Sequence, residues 1–144
     1  MIRKAIQSDL LPLTELALKL WPGHDREELA AEFAQTIRRE DAAFFLCVDG
    51  ETAVGFAQCG LRRDYVEGTS SSPVGYLEGV FVEEAYRGQG IAKRLLAACE
   101  GWARERGCRE FASDCELGNE GSLRFHLGTG FREANRIICF TKEL

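Results

Sequence analysis

The stretch YRGQGIAKRL, residues 86–95, places two glycines among Arg87, Lys93 and Arg94 at the point where one kind of periodicity gives way to another. Before it, YLEGVFV (76–82) is a short apolar run of the kind that forms a buried strand, interrupted by Gly79, and an internal strand glycine marks a bulge or a close backbone approach. After it, Ile91, Leu95, Cys99 and Trp102 recur at helical spacing until Gly107 stops the helix. REFASDC (109–115) then returns to a strand pattern. Strand, helix, strand in this order predicts a parallel, right-handed crossover, and hence an α/β fold.

If the strand-to-helix turn lies at residues 87–92, the first helical N–H groups are unpaired and face outward at the positive end of the helix dipole. An anion belongs there. Gly88 and Gly90 remove side chains that would keep phosphate oxygens away, and Arg87, Lys93 and Arg94 add charge, so the loop is read as a diphosphate cradle. Gly-Gln-Gly-Ile-Ala-Lys satisfies neither GxxxxGK[ST] nor GxGxxG, which removes the usual motifs for nucleotide hydrolysis and hydride transfer.

Working outward, IRKAI suggests a first strand. Ser8 is expected to cap a helix with Pro12 in its first turn and Leu13, Leu16, Ala17 and Leu20 on one face. Asp25 and Glu28 have capping-box spacing ahead of Leu29, Phe33 and Ile37. AAFFLCV and AVGFAQCGLR flank DGET, a hairpin signal, and DYVEGTSSSPVG is the principal loop. NEGSLRFHLGT is expected as a last helix and RIICFTKE (136–143) as a last strand. The expected fold class is a single α/β domain over 1–144: a mixed, mostly antiparallel central sheet with helices on both faces.

Composition narrows the partners. A net charge of −5 argues against nucleic-acid phosphate and is compatible with a cationic ligand. The longest apolar run, Ala42–Val48, is far below the roughly 18 residues of a membrane helix, so the chain reads as soluble and cytoplasmic with no membrane partner. Six scattered cysteines with no CxxC suggest neither a disulfide framework nor a metal site.

RGQGIA resembles the acetyl-CoA loop, R/Q-x-x-G-x-G/A, of the GNAT superfamily of N-acetyltransferases, and it follows a strand carrying Gly79 as in that family. NEGSLRFHLGTGF resembles the family's Asn…(Y/H)xxxGF helix. The resemblance implies the GNAT fold, with a parallel strand pair that splays and leaves Val80, Phe81 and Val82 free to pair with pantetheine. It implies acetyl-CoA held by Arg87, Gly88, Gln89, Gly90, Ile91 and Ala92, with Asn119 meeting the cofactor arm. YVEGTSSSPVGYLEGVFV, EFASD and the early LW are similar to the aminoglycoside 6'-N-acetyltransferases. By that likeness Trp21, His24, Tyr65, Glu78 and Asp114 contact an aminosugar, Asn135 stands where some relatives present an acid, and the protein forms a homodimer.

From Asp64 to Tyr86 there are acids but no Lys or Arg, and the same holds from Glu110 to Leu123. Negative potential beside an acyl thioester suits an amine acceptor. An alkyl ammonium with a pKa of about 10 is protonated at neutral pH, so a carboxylate, Asp114 or Glu78, is expected to bind it and pass its proton on through water. Direct attack on the thioester then needs a donor for the oxyanion, for which the Val80 N–H is suited, and an acid for the departing thiolate. GNAT enzymes often place Tyr where this chain has His126, which makes His126 the candidate acid. Two other activities fit the same residues: acetylation of a polyamine or a protein N-terminus, and acyl-CoA binding without catalysis.

Overall fold

The computed structural model describes all residues, 1–144. In chain order the elements are β1 (Ile2–Lys4), α1 (Leu10–Leu20), α2 (Arg26–Thr36), β2 (Ala42–Asp49), β3 (Thr52–Arg62), β4 (Val74–Val82), α3 (Ile91–Glu105), β5 (Phe111–Ser113) and α4 (Glu120–Gly128). The five strands form one sheet in sequence order. β1 to β4 are antiparallel neighbours, and β5 joins β4 in parallel through α3, the crossover expected from the 76–115 pattern.

Alternation along β2 sorts the core into two layers. Phe44 and Leu46 pack with Leu13, Leu16, Leu29 and Phe33 beneath α1 and α2. Ala43 and Cys47 point the other way, to Leu95, Leu96, Cys99 and Trp102 of α3. Side chains one residue apart on a strand face opposite sides, so a run apolar at every position needs helices on both. Cys47, Cys59, Cys99 and Cys108 are buried free thiols. No helix is long and apolar enough to cross a membrane.

Local signals hold at several points. Asp25 caps α2 by accepting the Glu28 N–H at 3.0 Å. Asp49 pairs with Thr52 across a two-residue turn, with Gly50 at φ 63°. Pro12 lies in the first turn of α1, but Ser8 is not its cap: residues 7–9 form a 3-10 turn, and Asp9 takes the Ile6 N–H at 2.8 Å. Asp9 wins because Arg3 forks onto its carboxylate at 2.7 and 2.8 Å, fixing it at the strand-to-helix entry.

The last strand anticipated at 136–143 is absent; no regular element follows α4, and Ile137, Ile138 and Phe140 are exposed. An apolar β-branched run becomes a strand only where a neighbour takes its N–H and C=O groups, and β5 is a three-residue edge.

Candidate active site

The parallel pair is short. β5 matches β4 only at Gly75, Tyr76 and Leu77, whereas β4 runs on to Val82. The two strands therefore fork after Leu77. On its other side β4 stays paired with β3, but the register slips between Gln58 and Cys59, leaving Glu78 as the extra residue of a bulge. Beyond the bulge, Glu83 donates to the Val54 carbonyl at 2.8 Å. Alternation in an antiparallel ladder then points the backbone groups of Gly79 and Phe81 toward β3, and those of Val80 and Val82 into the fork. Of the three residues assigned to pantetheine, Phe81 is paired with β3, Val80 presents both backbone groups and Val82 only its N–H. The Val82 carbonyl is already met by Arg87 Nε at 2.9 Å.

Gly79 serves a close approach. A Cβ there would stand 2.5 Å from Cζ2 of Trp21 and 3.0 Å from Leu20 Cδ2. Trp21 thus packs against the residue beside Glu78, edge-on to Phe56 and to His24, with centroids 6.0 and 6.3 Å away.

At the mouth of the fork, Gly88 and Gly90 have φ of 79° and 76°, and nothing lies within 4 Å of where their Cβ atoms would be. Gly90 is the N-cap of α3, no side chain caps it, and the first intrahelical bond is Arg94 N–H to Gly90 at 3.1 Å. The N–H groups of Ile91, Ala92 and Lys93 are consequently free donors, while the Ile91 side chain anchors the turn in the core. These donors, with open space left by two glycines, fit a pyrophosphate.

The ladder order places Asp114 next after the Leu77–Ser113 pair, across the fork from Glu78. Asp114 accepts a hydrogen bond from the buried Tyr76 hydroxyl, and burial together with that bond pushes the Tyr76 phenol well above its ordinary range. It stays protonated and donates. Glu78 is held by Arg62 Nη2 at 2.9 and 3.2 Å, and the same guanidinium lies 3.5 Å over the Tyr76 ring. Neither Arg62 nor Tyr76 stands out by motif or local charge. Their signal is register: Gly60 opposes Tyr76, which makes Arg62 the diagonal neighbour on the same face.

His126 is also engaged at both nitrogens. Nδ1 lies 2.7 Å from the Ser122 carbonyl, which only accepts, so Nδ1 carries a proton. Nε2 lies 2.8 Å from Ser113 Oγ, and that hydroxyl is 3.2 Å from the Leu77 carbonyl at the fork. No motif singles out Ser113 either.

A cavity of about 1110 Å³ on the β5 side collects Tyr65, Tyr76, Asp114, Asn119, His126 and Asn135. Glu78, Trp21 and His24 do not line it, although Arg62, which holds Glu78, does. Asn119 caps α4 through Oδ1 to the Ser122 N–H at 3.1 Å, and Asn135 donates to Glu67 at 2.8 Å. Exposed Tyr65 rides on the 63–73 loop, which Glu110 fastens through the Ser70 N–H at 2.9 Å and the Ser71 hydroxyl.

A forked parallel pair that exposes strand backbone beside a glycine-opened helix start defines an acyl-CoA-dependent transferase. Residues 10–131 match the acetyltransferase (GNAT) family, and the chain belongs to it. It is 42% identical over 145 residues to an aminoglycoside N(6')-acetyltransferase type 1 of Stenotrophomonas maltophilia, covering 99% of this chain and 93% of that protein. It superposes with a TM-score of 0.97 and 38% identity on the aminoglycoside N-acetyltransferase AAC(6')-Iy in complex with CoA, covering 100% and 95% of the two chains. For AAC(6')-Iy bound to the bisubstrate analogue CoA-S-monomethyl-acetylneamine the TM-score is 0.96, at 38% identity and 100% and 98% coverage.

Proposed function

We propose that this chain transfers the acetyl group of acetyl-CoA to the 6'-amino group of aminoglycosides, by direct attack of the amine on the thioester. The observation that carries the proposal is the fork itself: unpaired backbone at Val80 and two carboxylates, Glu78 and Asp114, at one strand junction. It occurs in a chain that matches aminoglycoside acetyltransferases along its whole length.

In this reading the pyrophosphate lies on the N–H groups of Ile91 to Lys93, with Gly88, Gln89 and Gly90 as its cradle and Asn119 toward the cofactor arm. Arg87, tied to Val82, closes the strand end. The Val80 N–H receives the oxyanion formed when the amine adds to the thioester carbon. Asp114 has one oxygen occupied by Tyr76; its other oxygen binds the ammonium and passes a proton from it to water, which frees the lone pair for attack, and the second N–H proton leaves by the same route after addition. As the C–S bond breaks, the thiolate takes a proton from Ser113, which is refilled from Nε2–H of a protonated His126. Trp21, His24, Tyr65 and Asn135 surround the sugar rings, with the aromatic groups packing on their apolar faces.

The chain acts as one domain, 1–144, in the cytoplasm where acetyl-CoA is supplied, and as a homodimer. The exposed Ile137, Ile138 and Phe140, on a segment with no ladder partner in the isolated chain, are the proposed contact. CoA thiol release with kanamycin and tobramycin tests the activity. Tight acetyl-CoA binding without release for any aminoglycoside would reject it, and turnover confined to polyamines or peptide N-termini would reassign the acceptor.

A further inference from the structure

In the free protein an amine does not find Glu78 vacant. Arg62, the last residue of β3, donates Nη2 to Oε1 at 2.9 Å and Oε2 at 3.2 Å. Its Cζ stands 3.5 Å from the centroid of Tyr76, whose hydroxyl donates to Asp114. One guanidinium therefore neutralises the first acceptor-side carboxylate and rests on the ring that holds the second. It presents at Glu78 what a protonated amine would bring: a single positive charge and N–H donors. No other carboxylate lies within ion-pair distance of Arg62. The contact is reachable from solvent, since the side chains of Arg62 and Glu78 are 45% and 32% exposed.

We infer that Arg62 determines acceptor specificity by standing in for the substrate ammonium: it occupies Glu78 until an amine displaces it. This deepens the proposed amine acetylation and rests on it. An incoming ammonium meets a like charge at Glu78, so it binds there only as the guanidinium swings away, and the ion pair and ring stacking that Arg62 gives up subtract from the acceptor's affinity. A polycation restores the positive charge at Glu78 and reaches Asp114 with a second ammonium. A monoamine that displaces Arg62 from Glu78 leaves Asp114 without a cation, and one that binds Asp114 leaves Arg62 in place. Without Arg62, the two carboxylates would face each other across an empty fork.

The test is steady-state acetylation of kanamycin by the parent protein, Arg62→Gln and Arg62→Lys. An exposed ion pair and a cation–π contact are together equivalent to about three- to thirtyfold in a binding constant. Arg62→Gln is expected to lower the KM for kanamycin by about that factor, while Arg62→Lys, which retains a competing cation, keeps a KM closer to that of the parent. An unchanged or raised KM in Arg62→Gln overturns the inference, because it would make Arg62 a support for Glu78 and not its competitor.

A measurement on the unaltered, arginine-labelled protein covers the case in which the variant does not fold. The Tyr76 ring shifts the Arg62 side-chain protons upfield, and saturating kanamycin without acetyl-CoA is expected to return them to the positions of a free arginine. Persistence of the upfield shift at saturation also overturns the inference. Failure of the parent protein to acetylate any aminoglycoside counts against the proposed activity instead, so the two failures are distinct.

Discussion

Gly79→Ala is the substitution whose outcome the structure specifies most closely. The added Cβ would lie 2.5 Å from Trp21 Cζ2 and 2.8 Å from Cη2. Carbon atoms rest at about 3.5–4.0 Å, so the indole or the strand must yield by about 1 Å or more. The indole is rigid and wedged between β4 and Phe56, and a displaced ring loses the edge contact as well. Overpacking of this kind costs about 1–3 kcal/mol, and at about 2–4 °C per kcal/mol for chains near this length the midpoint should fall by about 2–12 °C. Thermal unfolding followed by circular dichroism reads the loss. Kinetics with kanamycin should show a raised KM, since the displaced strand carries Glu78. Trp21→Leu opens the space, and the pair Gly79→Ala/Trp21→Leu should recover about 1 kcal/mol relative to the sum of the single changes. A midpoint unchanged in Gly79→Ala, or strict additivity in the double variant, would refute the claim that Gly79 exists to seat Trp21.

Three further outcomes are expected. Asp114→Asn should lower kcat by about tenfold or more with the circular dichroism spectrum intact, and full turnover would remove Asp114 from the proton path. Gly90→Ala meets no neighbour but forces a side chain to φ 76°, so it should lose about 1–2 kcal/mol of stability and weaken CoA binding by calorimetry; unchanged values for both would show that the turn relaxes freely. Arg3, and secondarily the Ile6 N–H, holds the Asp9 carboxyl below its ordinary value. Its contribution is therefore complete above the unfolded value of about 3.9 and is lost as pH falls through the lower native one. Asp9→Asn should be less stable than the parent by about 1–3 kcal/mol at neutral pH, with the gap closing in acid; a gap independent of pH would contradict the ion pair.

Much of the site was legible because its signals are local. Gly88 and Gly90 ahead of a helical run announce an open helix start whatever surrounds them, since dipole and unpaired N–H groups belong to the helix alone. Gly79 inside an apolar strand announced a bulge or a close approach, but not that Glu78 would be the bulged residue or that Trp21, 58 positions away in the chain, would be the neighbour. The acid-rich stretches were visible, yet the potential they suggested is tempered by pairing: Arg62 on Glu78 and Lys19 on Glu83 both come from outside the stretch concerned. The 136–143 run has strand chemistry and no strand, because β propensity is realised only through a neighbour's hydrogen bonds.

By itself the sequence determined the alternation of strand and helix, the two-sided burial of the sheet and the glycine-opened turn at 87–92, since each depends on residues within a few turns of one another. The tertiary structure alone decided where β5 stops, which residue of β4 bulges, and that a guanidinium, a phenol and two carboxylates converge at the fork. Those facts depend on strand register, and a shift of β4 by a single residue would send Tyr76 and Glu78 to the face of the sheet opposite Arg62.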